Sequence, residues 1–423
     1  MSLLDHTFRS LSHRNYRLYF TGQGLSLVGT WIQTTVQGWL VYSLSKSSFA
    51  LGLVGFCSQA PGLVLGLYAG VLADRFDRRR ALMLTQTVAM AQAAALGVLT
   101  LSGTVQVWHI MLLSALAGIA VAFDMPLRQS FAVELVGPRD LGNALALNSM
   151  AFNAARIIGP ALSGFLVGWV GEGACFLINA ASFLFVLRAL HEIRLPPKVA
   201  RQTHPPAWQS LKEGLRYCRD MPFIRNPIIL LSAVSLVIMP LMLMLPVFAV
   251  EQLNGGPKTY GMLISSIGVG ALLGGVTLAS RKKHRRMGGF IVVSSFLYGG
   301  SMLALSFVHG IWPACLLLLF AGMGMMRQNV GSNTLIQSLV RNEMRGRVMS
   351  VYVMTFVGFA PLGSLILGKL SQHFGIAVTM RAGAVWCLVA AVWFVSRIEE
   401  MRRAAMAVPE AALEDNGEKL SLI

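Results

Sequence analysis

Charged residues are scarce in this sequence, and acidic residues are scarcer still. Of its 423 residues, 13% are charged and only 18 are Asp or Glu, whereas soluble globular domains contain about 25% charged residues. Hydrophobic residues make up 55% of the chain. These figures exclude a soluble globular protein and a disordered one. About twelve membrane-spanning helices of roughly 20 residues each would use this number of apolar residues.

Cysteines and catalytic motifs are equally sparse. The five cysteines are widely spaced and odd in number, so they form no disulfide or zinc-binding pattern. The absence of a GxxxxGK[ST] sequence argues against ATP hydrolysis. The absence of HExxH and GxSxG sequences argues against a membrane protease or hydrolase. We therefore predict no catalytic residues, no metal site, no cofactor and no enzymatic activity.

The positive charge lies mainly on one side of the predicted membrane spans. The net charge is +17, which in a soluble chain would suggest nucleic acid, but no loop is long enough to form a domain, so we predict no nucleic-acid partner. With the N-terminus in the cytoplasm, 30 of the 35 Lys and Arg residues fall on the cytoplasmic side. This asymmetry predicts that both termini are cytoplasmic. The N-terminal segment has no cleavage signature, which predicts an uncleaved first span.

Apolar runs predict an all-α integral membrane protein with twelve transmembrane helices. The first six runs lie near 18–42, 49–73, 81–101, 107–127, 143–169 and 173–190. The second six lie near 227–250, 259–280, 288–308, 312–327, 347–371 and 377–396. The predicted organisation is a cytoplasmic leader (1–17), an N-terminal six-helix bundle (18–190), a cytoplasmic linker (191–226), a C-terminal six-helix bundle (227–396) and a cytoplasmic tail (397–423).

The two halves repeat at an offset of about 204 residues. The segment that starts at Gly70 falls over the one that starts at Gly274, and Ala117-Gly118 falls over Ala321-Gly322. Three more glycines, Gly142, Gly159 and Gly164, fall over Gly346, Gly363 and Gly368. Landmarks at one offset predict a duplicated six-helix unit, with a substrate cavity at the interface of the repeats.

A short motif follows the second predicted span. Its residues are Gly70, Asp74, Arg75, Arg78 and Arg79, and Asp77 directly precedes Arg78. Over nearly its whole length the chain resembles the major facilitator superfamily, whose signature these residues match, except that Asp77 stands where the family usually has glycine. The resemblance implies the major facilitator fold, two pseudo-symmetric bundles and a transporter that works by alternating access.

Three further segments resemble the bacterial exporters of the enterobactin-exporter and macrolide-efflux type. They are Asp124 to Ser130, Asn143 to Asn148, and Ala155 to Gly164 with Gly159 and Pro160. The last is similar to a motif of antiporters, although Ala155 and Ser163 replace two of its glycines. The resemblance implies an inner-membrane exporter that is driven by protons. We expect its partners to be a small-molecule substrate, protons and membrane lipid, and we expect a monomer.

The motif around Asp74 predicts a cytoplasmic gate. A carboxylate there can interact with the N-terminal end of the eleventh helix, around Arg345 and Arg347, and with Arg128, a coupling worth a few tenths to about 2 kcal/mol. Arg75, Arg78 and Arg79 belong to the same predicted gate. The alternative is that these arginines only set the topology.

Arg156 is the ionisable residue deepest in a predicted span. A charge there costs about 2.5 to 3.5 kcal/mol, so we expect it to face the bundle interior. It could attract an anionic or phenolic substrate, belong to a proton-sensitive network, or bond to carbonyl groups in a structural role. Asn148 and Asn153 extend the same polar line.

Polar residues also form one face of the first predicted helix. They are Gln23, Ser26, Thr30, Gln33 and Gln37, spaced three and four residues apart. They could line an aqueous cavity or hydrogen-bond to neighbouring helices.

Asp124, near the end of the fourth span, could titrate during transport or pair with Arg128. We therefore predict export of a hydrophobic or amphipathic small molecule, such as a drug-like compound or a siderophore. The alternatives are a nutrient importer or facilitator of the same fold, a lysophospholipid flippase, and a receptor or assembly factor that does not transport.

Overall fold

All regular secondary structure in the described part of this computed structural model is helical. The structure describes residues 8–75, 77–193, 207–279 and 287–406, without the side chains of 67–75, 138, 207–210, 279, 342, 405 and 406. Apolar stretches form helices in lipid because a spanning segment has to satisfy its backbone hydrogen bonds internally.

The first half of the chain forms six long helices after a 3-10 helix at Arg9–Ser12. Helix α1 is Arg14–Ser45, α2 is Ser48–Arg75 and α3 is Arg78–Leu101. A helical run, Val107–Glu192, follows, and it is interrupted at Gly137 and Gly171, where φ is 71° and 77°. Residues other than glycine rarely adopt these angles. The two breaks divide the run into α4 (107–136), α5 (138–170) and α6 (172–192).

The second half begins with a short amphipathic helix, α7. The bounds are Ala207–Asp220 for α7, Pro222–Leu243 for α8, Leu245–Glu251 for α9, Pro257–Ala279 for α10, Met287–Leu305 for α11, Ile311–Leu339 for α12, Asn342–Phe374 for α13 and Ile376–Met406 for α14. Helix α7 lies within the segment assigned to the linker, 191–226, and α8 starts before the predicted boundary at 227. The span-by-span interpretation did not identify α7.

The described residues contain ten helices that are long and apolar enough to cross a membrane. One of these, Arg139–Glu192, includes the break at Gly171 and so comprises two predicted spans. Helix α1, with 32 residues, is not among the ten, because its Gln, Ser and Thr residues lower its mean hydropathy. With α1 and the divided helix, the structure has a helix for each of the twelve predicted spans.

The turn before α3 explains why Asp77 can replace the usual glycine. The Asp77 carboxylate accepts a hydrogen bond from the backbone N–H of Arg80 at 2.8 Å. The φ angle of Asp77 is −62°, so the turn needs no residue with the conformational freedom of glycine. An N-cap of this kind stabilises a helix by about 1 kcal/mol.

Contacts divide the chain into two compact units. Unit 1 comprises Met1–Lys46, Cys57–His204 and Gly256–Ser265, and unit 2 comprises Ser47–Phe56, Pro205–Gly255 and Ser266–Ile423. The units follow the two halves of the chain, except that the start of α2 belongs to unit 2 and the start of α10 belongs to unit 1.

Each unit has its own apolar core. Tyr16, Phe131 and Phe176 are completely buried in unit 1, and Phe248 and Phe394 are completely buried in unit 2. In a membrane protein, side chains of this kind stabilise helix contacts through van der Waals packing, because lipid tails are as apolar as the protein interior.

Candidate functional site

Arg156 and Trp31 bring a charge and an aromatic ring together inside unit 1. The guanidinium carbon of Arg156 lies 5.6 Å from the centre of the Trp31 ring. Phe152, one turn before Arg156, meets the same ring edge-on, with the ring centres 5.7 Å apart. A cation over a tryptophan ring is stabilised by about 0.5–2 kcal/mol. This offsets part of the cost of placing the charge in a spanning helix.

The position of Arg156 along α5 places its charge at membrane depth. It lies about 27 Å of helix from the start of α5 and about 21 Å from its end, at 1.5 Å per residue. The hydrocarbon core of a bilayer is about 30 Å thick, so a helix that spans it with this length holds Arg156 inside it.

Gly159 allows α5 to approach α1 beside this contact. A Cβ atom on Gly159 would lie 2.5 Å from the Cβ of Trp31 and 3.1 Å from the carbonyl oxygen of Val28. A side chain at 159 would therefore push the helices apart and move Trp31 away from Arg156. This gives one glycine of the antiporter-like motif a structural role.

The other end of that motif packs against the start of α10, also within unit 1. A Cβ on Gly164 would lie 3.0 Å from the Cα of Lys258, and one on Gly261 would lie 2.7 Å from the carbonyl oxygen of Pro160. Ser265 donates a hydrogen bond to the carbonyl oxygen of Gly261 at 2.8 Å. The motif therefore provides a backbone-to-backbone approach of α5 and α10.

Gln33 and Gln37 take part in hydrogen bonds between helices. The Gln33 amide donates to Gln92 of α3 at 2.9 Å and accepts from Asn179 of α6 at 2.6 Å. Gln37 donates to the hydroxyl of Ser114 in α4 at 2.9 Å. Gln33 is 8% exposed. These contacts support helix-to-helix bonding, the second of the two interpretations of the α1 polar face, at both positions.

The other polar residues of α1 differ in exposure. Gln23 and Ser26 are buried, at 7% and 1% exposed. Thr30 is exposed, and its hydroxyl donates to the carbonyl oxygen of Ser26 at 2.8 Å. Thr30 precedes Trp31 directly, so it is the member of the predicted stripe nearest in sequence to the Arg156 contact.

The two asparagines of α5 bond within unit 1. Tyr16 donates to the side-chain oxygen of Asn148 at 3.1 Å and to the carbonyl oxygen of Ala144 at 2.8 Å. Asn153 donates to the carbonyl oxygen of Ser149 at 2.8 Å. Both asparagines are half-buried.

A buried polar cluster surrounds Asp124 in α4. One carboxylate oxygen accepts hydrogen bonds from Thr85 at 2.9 Å and Gln86 at 2.6 Å. The other forms an ion pair with Arg128, one helical turn away. The Asp124 side chain is 11% exposed and that of Arg128 is 27% exposed. Both carboxylate oxygens of Asp124 are therefore occupied by donors of the cluster.

The gate residues that are described bond within their own units. Arg78 pairs with Glu134 of α4 at 2.6 Å, and its side chain is 3% exposed. Arg79 donates to the carbonyl oxygens of Leu190 and His191, at 2.5 and 2.6 Å. The side chains of Asp74 and Arg75 are not described, and neither are the surroundings of Gly70.

At the start of α13, Arg347 pairs with Glu213 of α7 at 2.7 Å. Arg345, two residues earlier, is exposed. The predicted interaction of these arginines with Asp74 involves a side chain that is not described, so it stays a prediction.

Three charged residues of the first half, each buried or at membrane depth, align with uncharged residues in the second half of the repeat. At the offset of 204, the pairs are Asp124 with Gln328, Arg128 with Ser332 and Arg156 with Ala360. Gln328 and Ser332 are 2% and 0% exposed. Charge at these three repeat positions therefore belongs to the first half alone.

Several partners in these contacts were not predicted from the sequence. Gln92 and Asn179 lie in apolar runs, Glu134 lies between two of them, and none has a motif around it. Trp31 directly follows Thr30 but is not one of the predicted polar residues of α1. Its role depends on its contact with α5, which is distant in sequence. Within the described ranges, no group of His, Cys, Asp and Glu residues has a metal-binding arrangement.

Residues 6–417 match the transmembrane secretion effector family. The chain is 26% identical to the staphyloferrin A transporter of Staphylococcus aureus, over 90% of this chain and 96% of that protein. It is 24% identical to the multidrug efflux pump Tap of Mycolicibacterium fortuitum, over 86% and 91%. It is 23% identical to the enterobactin exporter EntS of Shigella flexneri, over 96% and 97%.

A solved structure confirms the fold. The structure of a bacterial homologue of the human lysosomal transporter Spinster, in an inward-facing and occupied conformation, superposes with a TM-score of 0.75 at 15% identity. It covers 93% of this chain and 98% of the other. The predicted resemblance to the enterobactin-exporter type is confirmed, and so is the predicted major facilitator fold. The chain is a multi-pass membrane transporter and belongs to the transmembrane secretion effector family of the major facilitator superfamily.

Proposed function

We propose that this protein exports a hydrophobic or amphipathic small molecule with an anionic or phenolic group, by alternating access and at the expense of a proton gradient. The observation that supports this substrate class is the Arg156–Trp31 contact with Phe152 beside it. A guanidinium at membrane depth favours an anionic ligand group, and the aromatic rings favour an apolar body. Relatives named for siderophores and for drugs agree with an amphipathic cargo.

The substrate class is tested by replacing Arg156 in proteoliposomes. We expect R156A to lower transport of an anionic amphipathic dye at least tenfold while a neutral dye of similar size is affected less than twofold. R156K retains the charge and should keep part of the anion preference. An equal loss for both dyes would assign Arg156 to a structural role.

Arg381 provides a matched control for this experiment. Its guanidinium lies 4.5 Å from the ring centre of Phe307, so it forms the same kind of contact in unit 2, near the start of α14. R381A removes one arginine–aromatic contact without touching Arg156. We expect it to leave the ratio of anionic to neutral transport unchanged.

Export rather than uptake is supported by the antiporter-like segment Gly159, Pro160 and Gly164. The test is transport in vesicles of known orientation with an imposed proton gradient. Substrate movement against the direction of proton flow supports the proposal, and saturable uptake in the same direction as protons favours the nutrient-importer alternative.

We assign proton coupling to Asp124, because its carboxylate sits in a buried cluster and the repeat has the uncharged Gln328 at the equivalent position of the second half. D124N removes the carboxylate. We expect it to abolish substrate-driven proton flux across proteoliposomes while dye binding is retained. Undiminished proton flux in D124N would move the coupling elsewhere.

The basic loops support the orientation with both termini in the cytoplasm. Fusion of a reporter that fluoresces only in the cytoplasm to the C-terminus tests it, and we expect fluorescence. Mass measurement of the purified protein in a lipid nanodisc tests the proposed monomer.

A further inference from the structure

Buried polar side chains connect four helices in the interior of unit 1. The Gln33 side chain of α1 bonds to Gln92 of α3 and to Asn179 of α6. One helical turn later on α1, Gln37 donates to Ser114 of α4. Gln37 is half-buried, whereas the other four residues are buried. Polar groups therefore occupy the centre of the bundle at this level.

The polar interior continues along α1 toward its N-terminus. Gly29 precedes Gln33 by one helical turn. A Cβ atom on Gly29 would lie 2.5 Å from the side-chain oxygen of Asn179 and 2.6 Å from the hydroxyl oxygen of Ser182. Ser26 lies on the same face of α1 as Gln33, two helical turns before it. The absence of a side chain at Gly29 therefore leaves room for polar atoms of α6 between Ser26 and Gln33.

The same interior reaches the carboxylate of Asp124. Gln33 and Gln92 are bonded, so they lie at one level of the bundle. From that level toward the helix N-termini, Ser26 is about 10 Å away along α1 and Gln86 is about 9 Å away along α3. Helices α1 and α3 run in the same direction because one spanning helix lies between them, so Ser26 and Gln86 lie at a similar depth. Gln86 donates to Asp124 at 2.6 Å.

These residues form a polar column that extends from Gln37 to Asp124. In the part of the column next to Asp124, three polar atoms have no hydrogen-bond partner among the described residues. They are the hydroxyl oxygen of Ser26, Oε1 of Gln86 and Nε2 of Gln92, and the three residues are at most 3% exposed. Leaving buried polar groups without hydrogen bonds is destabilising, and buried water molecules satisfy such groups in proteins. This part of the column is therefore suited to binding water.

We propose that the polar column holds a chain of water molecules that delivers protons to Asp124. This inference rests on the proton coupling at Asp124 proposed above. Each water molecule accepts a proton from one neighbour and donates another to the next, so one proton enters near Gln37 and one proton binds a carboxylate oxygen of Asp124. Only O–H bonds are made and broken, and no side chain of the column changes its charge.

The position of the column sets the side from which protons arrive. Ser114 lies about 15 Å of helix from Asp124, toward the start of α4. In the proposed orientation with cytoplasmic termini, the start of α4 is on the extracellular side. Tyr19 and Arg128 are ionisable groups that interact with Asp124, and in that orientation both lie on its cytoplasmic side. The side chains of the column are uncharged, so none of them would hold a proton on the way.

The repeat supports a connection between the column and the carboxylate. At the offset of 204, Ser114 aligns with Leu318 and Asn179 aligns with Gly383. The residue that aligns with Asp124 is uncharged. At these aligned positions, the second half therefore has neither the carboxylate nor the two polar side chains of the column.

Two measurements in proteoliposomes test the proposal. The first is the proton flux driven by an anionic amphipathic dye, followed with a pH indicator in the lumen. The second is exchange of labelled for unlabelled amphipathic dye at equal pH on both sides, which needs no net proton movement. The variants are Q92L and S26A, and S26A breaks no hydrogen bond between described residues. The control S332A removes a hydroxyl of unit 2 that is also buried and without a partner among the described residues.

We expect S26A and Q92L each to lower the proton flux about tenfold and dye exchange less than twofold, because each removes a hydrogen bond from the water chain. S332A should change neither quantity. Q92L also removes the acceptor of Gln33, so S26A decides the result where Q92L fails to fold.

Equal losses of proton flux and dye exchange would assign the column to packing and overturn the proposal. Unchanged proton flux in S26A and Q92L, where D124N abolishes it, would also overturn the proposal and would leave proton coupling at Asp124 intact. A loss of proton flux in S332A equal to that in S26A counts against it as well. Undiminished proton flux in D124N removes the proposed coupling, and the role of the column with it.

Discussion

Replacing Asp124 with asparagine should destabilise the protein more than any other single charge removal proposed here. The carboxylate accepts hydrogen bonds from Thr85 and Gln86 and pairs with Arg128. An amide of the same shape can keep its oxygen toward Thr85 and Gln86, but its NH2 group then faces Arg128, whose guanidinium loses its counter-charge. The perturbation is therefore mainly electrostatic rather than steric.

The exposure of the pair sets the size of the effect. Removing one partner of a fully buried ion pair costs about 3–5 kcal/mol. The Asp124 and Arg128 side chains are 11% and 27% exposed, and partial solvent screening lowers the expected cost of D124N to about 2–4 kcal/mol. The double variant D124N/R128Q removes both charges, so its cost should fall at least about 1 kcal/mol below the sum of the single variants.

Reversible unfolding in mixed detergent micelles, followed by tryptophan fluorescence, measures these free energies. Glu192 offers a control with the same spacing, because it pairs with Arg188 one turn away in an exposed position, at 36% and 82% exposed. E192Q should cost no more than about 0.5 kcal/mol. Equal costs for D124N and E192Q, or strict additivity in the double variant, would refute the reasoning.

Three other changes test local features of the fold. D77A removes the N-cap that accepts from Arg80 and should lower the free energy of unfolding by about 1 kcal/mol, whereas D77G should cost only a few tenths; the same unfolding assay distinguishes them. Q33L leaves the partners of Gln33 buried with lost hydrogen bonds and should cost about 1–3 kcal/mol, whereas a cavity-lining residue would show almost no change. Burial raises the pKa of the Cys218 thiol to about 11, so the neutral thiol predominates at pH 7, and labelling by maleimide should be slow and rise with pH. L215C places a cysteine at an exposed position on the same helix and should label rapidly. Equal labelling rates would contradict the packing of α7.

The helices were predictable because their signal is local. Apolar runs of about 20 residues, bounded by charges and glycines, define spanning helices without any knowledge of their neighbours. The 204-residue repeat and the motif around Gly70 then indicated the superfamily. The span boundaries were less accurate, because a helix continues past the apolar run into polar residues, as α4 does beyond residue 127.

The direction of polar side chains was less predictable because it depends on partners far away in sequence. Gln33 lies on the polar face of α1 in either interpretation, and only its bonds to Gln92 and Asn179 distinguish packing from cavity lining. Trp31 meets Arg156 because α1 and α5 approach at Gly159. No pattern within α1 contains that information.

Helix α7 could have been found from the sequence. Leu211, Leu215 and Cys218 recur at three- and four-residue intervals among charged residues, which is typical of an amphipathic helix. A search for long apolar runs passes over it, since α7 is short and mostly polar. Its packing on Arg347 and Val351, in contrast, requires the structure.

The two short exchanged segments have a consequence for dividing the protein into fragments. Residues 256–265 belong to unit 1, and residues 47–56 belong to unit 2. A gene cut in the middle would yield a first piece whose Gly164 has lost Lys258 and a second piece whose Ser364 has lost Gly52. Neither piece would be complete alone, and co-expression should restore activity only where the two pieces meet in the same membrane.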